Sequence, residues 1–427
     1  MGGTLTALLV ALTQIVVTGL PVALLLHRRS APTRGGLLGL SFLLGAGVVS
    51  MILLFLSMAG VPWARVTVTV AVLVMAVVLW VAAAKFAAFG ATPSGYTWLD
   101  LPTLALLGMH AFLVARQSVG EWDFWAIWGL KGRVFYEHGA IDWAFLSDPV
   151  HAYQHPDYPP LLPLQYVFTA VHGGGWSDRW LGLITTFFAV AVTLVVREAL
   201  GRALPRWVAA LGTLAVAGVA ATHWVGMAEA PMIAFGGAGL LSVREGKLPL
   251  GAVLLGLAAC AKNEGLALIV AAGLALVCMG RVRDAFRLWP AALVVAPWLA
   301  LRALHRLPGD FLMRSFDLER VRLVLDTIVH KPPERPLLWV GLAEVFVVFA
   351  GSLRRESFLL LATLFQVLFY VGAYLVTRYD VAWHIVYSWP RLLDQVAVPL
   401  VFVAAVMAGQ AMVRNVPADV SPAPPVK

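Results

Sequence analysis

Two acidic residues precede an aromatic segment of the chain. Glu121 and Asp123 lie two positions apart, next to Phe124-Trp125-Ala126-Ile127-Trp128. A carboxylate held beside a reacting hydroxyl can act as a general base, which contributes about 10² to 10⁴-fold in rate. The alternative is that Asp123 only caps a helix, accepting hydrogen bonds from its first backbone N–H groups. Of the two carboxylates, we expect Asp123 to be the base.

The same segment predicts a helix on the membrane surface. Apolar residues recur at helical spacing through 127–134, and three Trp side chains together with Tyr136 suit the headgroup region of a bilayer. Lys131 belongs to this helix, and we expect it to contribute to substrate binding.

A second polar group follows in His155-Pro156-Asp157-Tyr158-Pro159-Pro160. Consecutive prolines disfavour helix at the preceding residue and stiffen the chain. A structural turn is enough to explain the prolines. We expect the stiff backbone to hold His155, Asp157 and Tyr158 near Asp123.

Further charged residues lie at the ends of apolar runs. An ionised group at the bilayer centre costs about 2.5 to 3.5 kcal/mol on insertion, so such residues are functional candidates. Glu229, Lys262 and Glu264 are in this position. Lys262 could contact a phosphate as a point charge. The structural alternative is a salt bridge that ties two spans together.

The composition excludes a water-soluble fold. Of 427 residues, 60% are hydrophobic and 13% are charged, whereas soluble domains carry about 25% charged residues. The net charge of +8 is spread over short loops, with no basic face that would indicate nucleic acid. Cys260 and Cys278 both lie in apolar runs, so no disulfide framework is expected.

The pattern predicts an all-α polytopic membrane protein with about thirteen transmembrane helices, because each span needs about 20 mostly apolar residues. Its large extracytoplasmic first loop should contain interfacial helices. The apolar segment 161–171 has only about 11 residues, the length expected of an interfacial or re-entrant helix, and length alone leaves open whether it crosses. The predicted spans are 5–26, 37–60, 66–84, 99–115, 178–196, 206–223, 228–243, 248–262, 264–280, 287–304, 337–351, 357–376 and 392–413.

Charge sets the predicted sidedness. If 161–171 does not cross, the basic loops all fall on one side, which the positive-inside rule makes cytoplasmic. The N-terminus is then outside and the C-terminus inside, and most acidic residues face outward. Long outer loops are expected at 116–177, 305–336 and 377–391. Residues 414–427 are expected to be a disordered cytoplasmic tail.

Several motifs in this order resemble the GT-C superfamily of membrane glycosyltransferases, especially bacterial relatives of protein O-mannosyltransferases and lipid A aminoarabinose transferases. The motifs are the acidic aromatic loop, Tyr158-Pro159-Pro160-Leu161-Leu162-Pro163, Met227-Ala228-Glu229-Ala230-Pro231 and Ala261-Lys262-Asn263-Glu264-Gly265. The resemblance covers a catalytic module at 99–413. Residues 1–98 add N-terminal transmembrane helices that are unusual for the family.

The resemblance implies an enzyme of the bacterial cytoplasmic (inner) membrane with an extracytoplasmic active site. Such a glycosyltransferase moves a sugar, with inversion, from a polyprenyl-phosphate donor to a hydroxyl of a glycan, lipid or protein. Asp123, with Glu121 as the alternative, would be the base, and Glu229 would orient the acceptor. Lys262 and Arg391 would bind the phosphate, beside Glu264. His155, Asp157 and Tyr158 would bind sugar hydroxyls.

The sequence leaves some questions open. Arg391 precedes the last apolar run and could instead extend to the headgroups. No cofactor is required, although Asp123 and Glu229 could gather around a divalent metal such as Mg or Mn. One rival function is a polysaccharide ligase or polymerase that uses a lipid-diphosphate donor through Arg314, Arg320, Arg322 and His330. The other is a secondary transporter, which should show broken helices in two matching halves.

Overall fold

The chain folds into apolar helices. The computed structural model describes residues 2–27, 32–87, 90–221, 225–309 and 318–414. These residues contain no β-strand, and eight of their helices are long and apolar enough to cross a membrane. The protein is therefore all-α and polytopic, as predicted. Four further apolar helices have only 10 to 17 residues, so the number of about thirteen spans stays a prediction.

Some predicted features lie outside the described residues. They are most of the tail at 414–427, the basic pair Arg28 and Arg29, and Arg314 of the proposed ligase alternative.

The N-terminal helices pack through small residues. A Cβ atom on Gly45 would lie 1.8 Å from the carbonyl oxygen of Ile15, so the first two helices approach too closely for a side chain there. In lipid, where apolar burial gives helices no reason to associate, close packing of this kind stabilises the contact between them. The helices are α1 (Gly2–Leu26), α2 (Arg34–Met58), α3 (Arg65–Phe86) and α4 (Leu101–Arg116), the last preceded by a 3₁₀ turn at Trp98–Asp100.

The first long loop is built from short helices that dock on the apolar helices. Trp143 stacks on His305 at a centroid distance of 4.0 Å and packs near Trp298. The loop contains a π-helical turn (Phe124–Trp128), α5 (Gly129–His138), α6 (Trp143–Ser147), a 3₁₀ turn (Pro149–Gln154), α7 (Leu161–Gly173) and α8 (Asp178–Leu181).

Helix α7 has 13 residues, which makes it about 20 Å long. The hydrocarbon core of a bilayer is about 30 Å thick. The length of α7 therefore favours the assignment in which this segment does not cross.

The central helices carry charged residues at both ends. Helix α11 begins at Glu229 and ends at Arg244, so these residues are separated by about 22 Å along the axis. The helices are α9 (Leu183–Ala203), α10 (Arg206–Ala221), α11 (Glu229–Arg244), α12 (Leu248–Ala261), α13 (Glu264–Cys278), α14 (Val282–Phe286) and α15 (Pro290–Leu304).

The last predicted outer loop, 377–391, is mostly helical, and its boundaries stay a prediction. Helix α19 begins at Val381 and continues through Pro390, whose missing N–H removes one backbone hydrogen bond without ending the helix. Arg391 therefore lies within a helix. The final helices are α16 (Leu318–His330), α17 (Pro336–Val348), α18 (Ser357–Val376) and α19 (Val381–Arg414), with a 3₁₀ segment at Ala350–Glu356.

At the Arg244 end of α11, ion pairs join several helices. Glu245 pairs with Arg202 at 2.7 Å and with Lys247 at 2.9 Å, and the Lys247 Nζ lies 2.9 Å from Nε2 of His27. Glu198 accepts hydrogen bonds from the backbone N–H and the hydroxyl of Thr33. These contacts fasten the ends of α1 and α2 to α9, α11 and α12.

Candidate functional site

Arg391 is at the centre of an ion-pair network at the Glu229 end of α11. Its Nη2 atom lies 2.5 Å from Oδ2 of Asp123 and 2.5 Å from Oε1 of Glu229. Its Nε atom also donates to Oε1 of Glu229, at 2.8 Å. One guanidinium thus joins α19, α11 and the first outer loop.

Glu229 also pairs with a second cation, Lys262. The Lys262 Nζ lies 2.8 Å from Oε1 of Glu229 and 2.8 Å from Oε1 of Glu264. Glu229 is fully buried, so the two cations compensate a charge that is costly to desolvate. Within the described part of the chain, its other oxygen, Oε2, is buried and has no hydrogen-bond partner.

Lys262 is positioned by a break between two helices. Its backbone is extended, with φ −155° and ψ 149°, between the end of α12 and the start of α13. A Cβ on Gly265 would lie 2.3 Å from the backbone of Ala258 and Ala259, so α13 starts in direct contact with the last turn of α12. On the far side, the Gln366 Nε2 donates to the carbonyl oxygen of Glu264 at 3.1 Å.

The first outer loop contacts this break through Asp157. The Asn263 Nδ2 donates to Oδ2 of Asp157 at 2.9 Å, and Arg302 of α15 lies 3.5 Å from the same oxygen. Asp157 is fully buried. Its carboxylate therefore connects the loop to the residue that follows Lys262.

Three aromatic rings form a stack next to Asp157. Tyr158 lies between Trp128, at 5.5 Å, and His155, at 4.6 Å between ring centroids. Lys131 is buried against this stack, with its Nζ 5.6 Å from the Trp128 ring centroid and 2.5 Å from the carbonyl oxygen of His155. His155 has a left-handed backbone, with φ 52°, which is uncommon for a residue with a side chain. Trp128 is fully buried, whereas His155 and Tyr158 are partly exposed.

The structure brings most of the predicted site residues together. Asp123, Glu229, Lys262, Glu264 and Arg391 form one network, and Asp157 joins it through Asn263. His155 and Tyr158 belong to the aromatic stack, and Lys131 is buried against that stack. Glu121 is exposed and takes no part in the described ion pairs. The roles assigned to these residues stay predictions.

The structure does not show helix capping by Asp123 or extension of Arg391 to the headgroups. Asp123 makes no side-chain capping hydrogen bond, and Arg391 points to Glu229 with only 20% of its side chain exposed. The third alternative, an ion pair between spans, does exist between Lys262 and Glu229. That pair is compatible with a phosphate-binding role for Lys262.

Sequence reasoning missed the residues that hold the network in place. Asn263 lies within the break motif, and Arg302 and Gln366 are polar residues inside apolar helices, a signal that could have identified them. Their partners are far away in sequence, so spacing alone did not connect them.

The residues present do not fit the proposed divalent metal. Among the described residues, no group of three or more His, Cys, Asp or Glu could hold a metal ion. Asp123 and Glu229 both contact the Arg391 guanidinium, so a cation already lies between them. We derive no step through a metal.

No family model, curated protein or solved structure matches the chain.

Proposed function

We propose that this protein is an integral membrane glycosyltransferase of the GT-C type. It moves a sugar from a polyprenyl-phosphate donor to an acceptor hydroxyl, with inversion, on the extracytoplasmic side of the bacterial cytoplasmic membrane. The acceptor is a glycan, a lipid or a protein.

The observation that carries the proposal is the contact of Arg391 with both Asp123 and Glu229. Asp123, the candidate base, lies 2.5 Å from the guanidinium of Arg391. Arginine binds phosphate through paired hydrogen bonds. Transfer from a lipid phosphate needs these two groups together, because the acceptor is deprotonated while negative charge develops on the leaving phosphate.

The reaction proceeds in one displacement. The acceptor O–H gives its proton to the Asp123 carboxylate, and the oxygen forms a bond to the anomeric carbon from the face opposite the phosphate. The bond between that carbon and the phosphate oxygen breaks, and its electron pair stays on the polyprenyl phosphate. Attack from the opposite face inverts the anomeric configuration.

Cations stabilise the departing phosphate. Preorganised charges aimed at developing negative charge are the strongest contribution in many enzymes. Arg391 and Lys262 supply them, while Glu229 keeps both in place. His155 and Tyr158, the partly exposed members of the stack, bind the sugar.

The residues of the ligase alternative do not form a site of their own in the described chain. Arg320 donates to the carbonyl oxygens of Tyr374 and Thr377 at the end of α18, and His330 is exposed beside Asp326. The described helices are broken at Lys262, between α12 and α13, at Gly182, between α8 and α9, and at 287–289, between α14 and α15. The transporter alternative therefore stays a prediction.

The test uses the purified full-length chain in lipid nanodiscs, with cell-envelope material as acceptor. The probes are a panel of hexosyl and pentosyl polyprenyl phosphates and the matching diphosphates. Mass spectrometry should detect free polyprenyl phosphate from a monophosphate donor, and Asp123→Asn should abolish its release. Glu137→Gln is the matched control, because Glu137 is an exposed carboxylate on the same outer segment. Release of polyprenyl diphosphate from the diphosphate donors alone would indicate the ligase. If no donor releases its lipid carrier, the proposal of glycosyl transfer is refuted.

A further inference from the structure

Two carboxylates fasten the first outer loop to the helices at its polar face. Asp123 contacts Arg391 of α19 at 2.5 Å, and Asp157 contacts Asn263 of the helix break at 2.9 Å. The first contact belongs to the proposed catalytic network. The second lies next to it, one residue beyond Lys262.

The contact of Asp123 cannot be permanent in the proposed reaction. A carboxylate paired with a guanidinium is a poor proton acceptor, because the neighbouring positive charge favours its ionised form. A donor phosphate that binds Arg391 competes with Asp123 for the same N–H groups. The loop therefore loses this attachment when the donor binds and Asp123 becomes available as a base.

We propose that Asp157 is a positioning residue whose hydrogen bond with Asn263 keeps the first outer loop docked when Arg391 turns from Asp123 to a donor phosphate. This inference rests on the proposed function for the event that releases Asp123. The attachment itself is a property of the protein without donor.

Burial makes the Asp157 contact suited to this role. Asp157 is fully buried, whereas 17% of the Asp123 side chain is exposed. Its partner Asn263 is neutral, so a phosphate does not attract it away as it attracts Arg391. Breaking this hydrogen bond would leave the buried Asp157 carboxylate with Arg302, at 3.5 Å, in place of a direct hydrogen bond from Asn263, which is unfavourable for a buried charge.

The same contact also affects Lys262. Asn263 directly follows Lys262, and the break is held by Glu229 on one side and by Gln366 through the Glu264 carbonyl on the other. Docking of the loop therefore fixes the backbone beside the second phosphate-binding cation. A donor then meets Asp123 and Lys262 at a constant separation.

The first experiment needs no donor. Hydrogen exchange of residues 118–140 is measured by mass spectrometry in nanodiscs for the wild type, Asn263→Leu, Arg391→Gln and the double variant. Each single variant retains the other carboxylate contact, and both retain the aromatic contacts of Trp143 and the pairing of Asp157 with Arg302, so exchange should rise only slightly. In the double variant, the exchange rate of the loop should be about tenfold higher than the rate expected from adding the effects of the two single variants. Contacts that hold the same segment are not additive. Additive effects would overturn the proposal.

Two further variants separate positioning from a general loss of structure. The exchange of partners, Asp157→Asn with Asn263→Asp, recreates the hydrogen bond in the opposite sense and should restore slow exchange in the Arg391→Gln background. Gln366→Leu removes a different support of the same break and should leave the loop unchanged. Loop release by Gln366→Leu, or failure of the partner exchange to rescue, would contradict the role of Asp157.

A ligand experiment then connects the attachment to donor binding. Farnesyl phosphate serves as the probe, and farnesol is the control without phosphate. Farnesyl phosphate should accelerate exchange of the loop in Asn263→Leu and leave it unchanged in the wild type. If the wild type does not bind farnesyl phosphate, the donor assignment fails, while the variant cycle still decides whether Asp157 holds the loop. Binding without loop release in Asn263→Leu would refute the positioning role.

Discussion

A single nitrogen of Arg391 donates to both Asp123 and Glu229, which lie 268 and 162 residues away in sequence. The two carboxylates differ in their surroundings, because Asp123 is partly exposed and Glu229 is fully buried. Contacts with the same guanidinium therefore have different consequences for the two carboxylates. Loss of Asp123 should affect chemistry, and loss of Glu229 should affect stability.

The choice between Asp123 and Glu121 can be made by two matched substitutions. Asp123→Asn should lower sugar transfer by about 10² to 10⁴-fold, since it removes the proposed base. Glu121→Gln should stay close to the wild type, because Glu121 is exposed and outside the described ion pairs. Transfer rates and thermal unfolding are measured together, and both variants should unfold near the wild-type temperature. The reverse order of activities would make Glu121 the base.

Glu229→Gln should destabilise the protein by about 3 to 5 kcal/mol, because it leaves two buried cations without their shared anion. The free energy of unfolding in detergent is the measurement. Lys262→Met in the same chain should recover part of the loss, since it removes one uncompensated charge. Glu264→Gln is the control, because Glu264 contacts only one of the two cations among the described ion pairs. Equal losses for Glu229→Gln and Glu264→Gln would contradict this explanation.

The sequence predicted the members of the network but not their contacts. Charges at the ends of apolar runs identify Glu229 and Lys262, because lipid makes such positions costly. The pairing of cations with carboxylates depends on how distant helices pack against each other. The spacing of residues in the sequence does not reveal this packing. Arg391 shows this limit: the apolar run begins at Leu392, yet the helix begins at Val381. Asp157 shows it as well, because its partner Asn263 has no distinguishing pattern of its own.

Gly265→Ala should destabilise the break because its Cβ would overlap the backbone of Ala258 and Ala259 at 2.3 Å. Backbone atoms cannot move aside without shifting α12 against α13, so we expect a loss of about 1 to 3 kcal/mol. Gly273→Ala is the matched control in the same helix, since nothing lies within 4 Å of its Cβ position. Thermal unfolding should separate the two variants. Equal stability of both would show that the break tolerates a side chain.

His27 should make stability depend on pH. Burial, followed by the charge of Lys247, lowers the pKa of His27 to about 4 from its usual value of 6.5. Below pH 6.5 the unfolded chain therefore binds a proton that the folded chain does not, and stability falls as the pH decreases towards 4. Above pH 6.5 both states are neutral at this position, so no dependence is expected.

The magnitude of the His27 effect is about 1 to 2 kcal/mol at pH 5. His27→Gln keeps a hydrogen-bond acceptor for Lys247 but cannot titrate, so its unfolding temperature should decline less between pH 7.5 and pH 5. Comparison within this range avoids most carboxylate titration. Parallel decline of both proteins would show that His27 takes up its proton in the folded state.

The orientation of the chain follows from charge and can be measured by cysteine labelling. Cys260 and Cys278 are first replaced by Ala, and single cysteines are then introduced at Val150, in the first outer loop, and at Arg283, in a basic loop. Both positions are exposed. In intact cells, a membrane-impermeant maleimide should label Val150→Cys only, because positive loops are retained in the cytoplasm. Permeabilised cells should give labelling at both positions. Labelling of Arg283→Cys from outside would reverse the orientation, and the Asp123 network would then face the cytoplasm, where the proposed donor could not reach it from the outer leaflet.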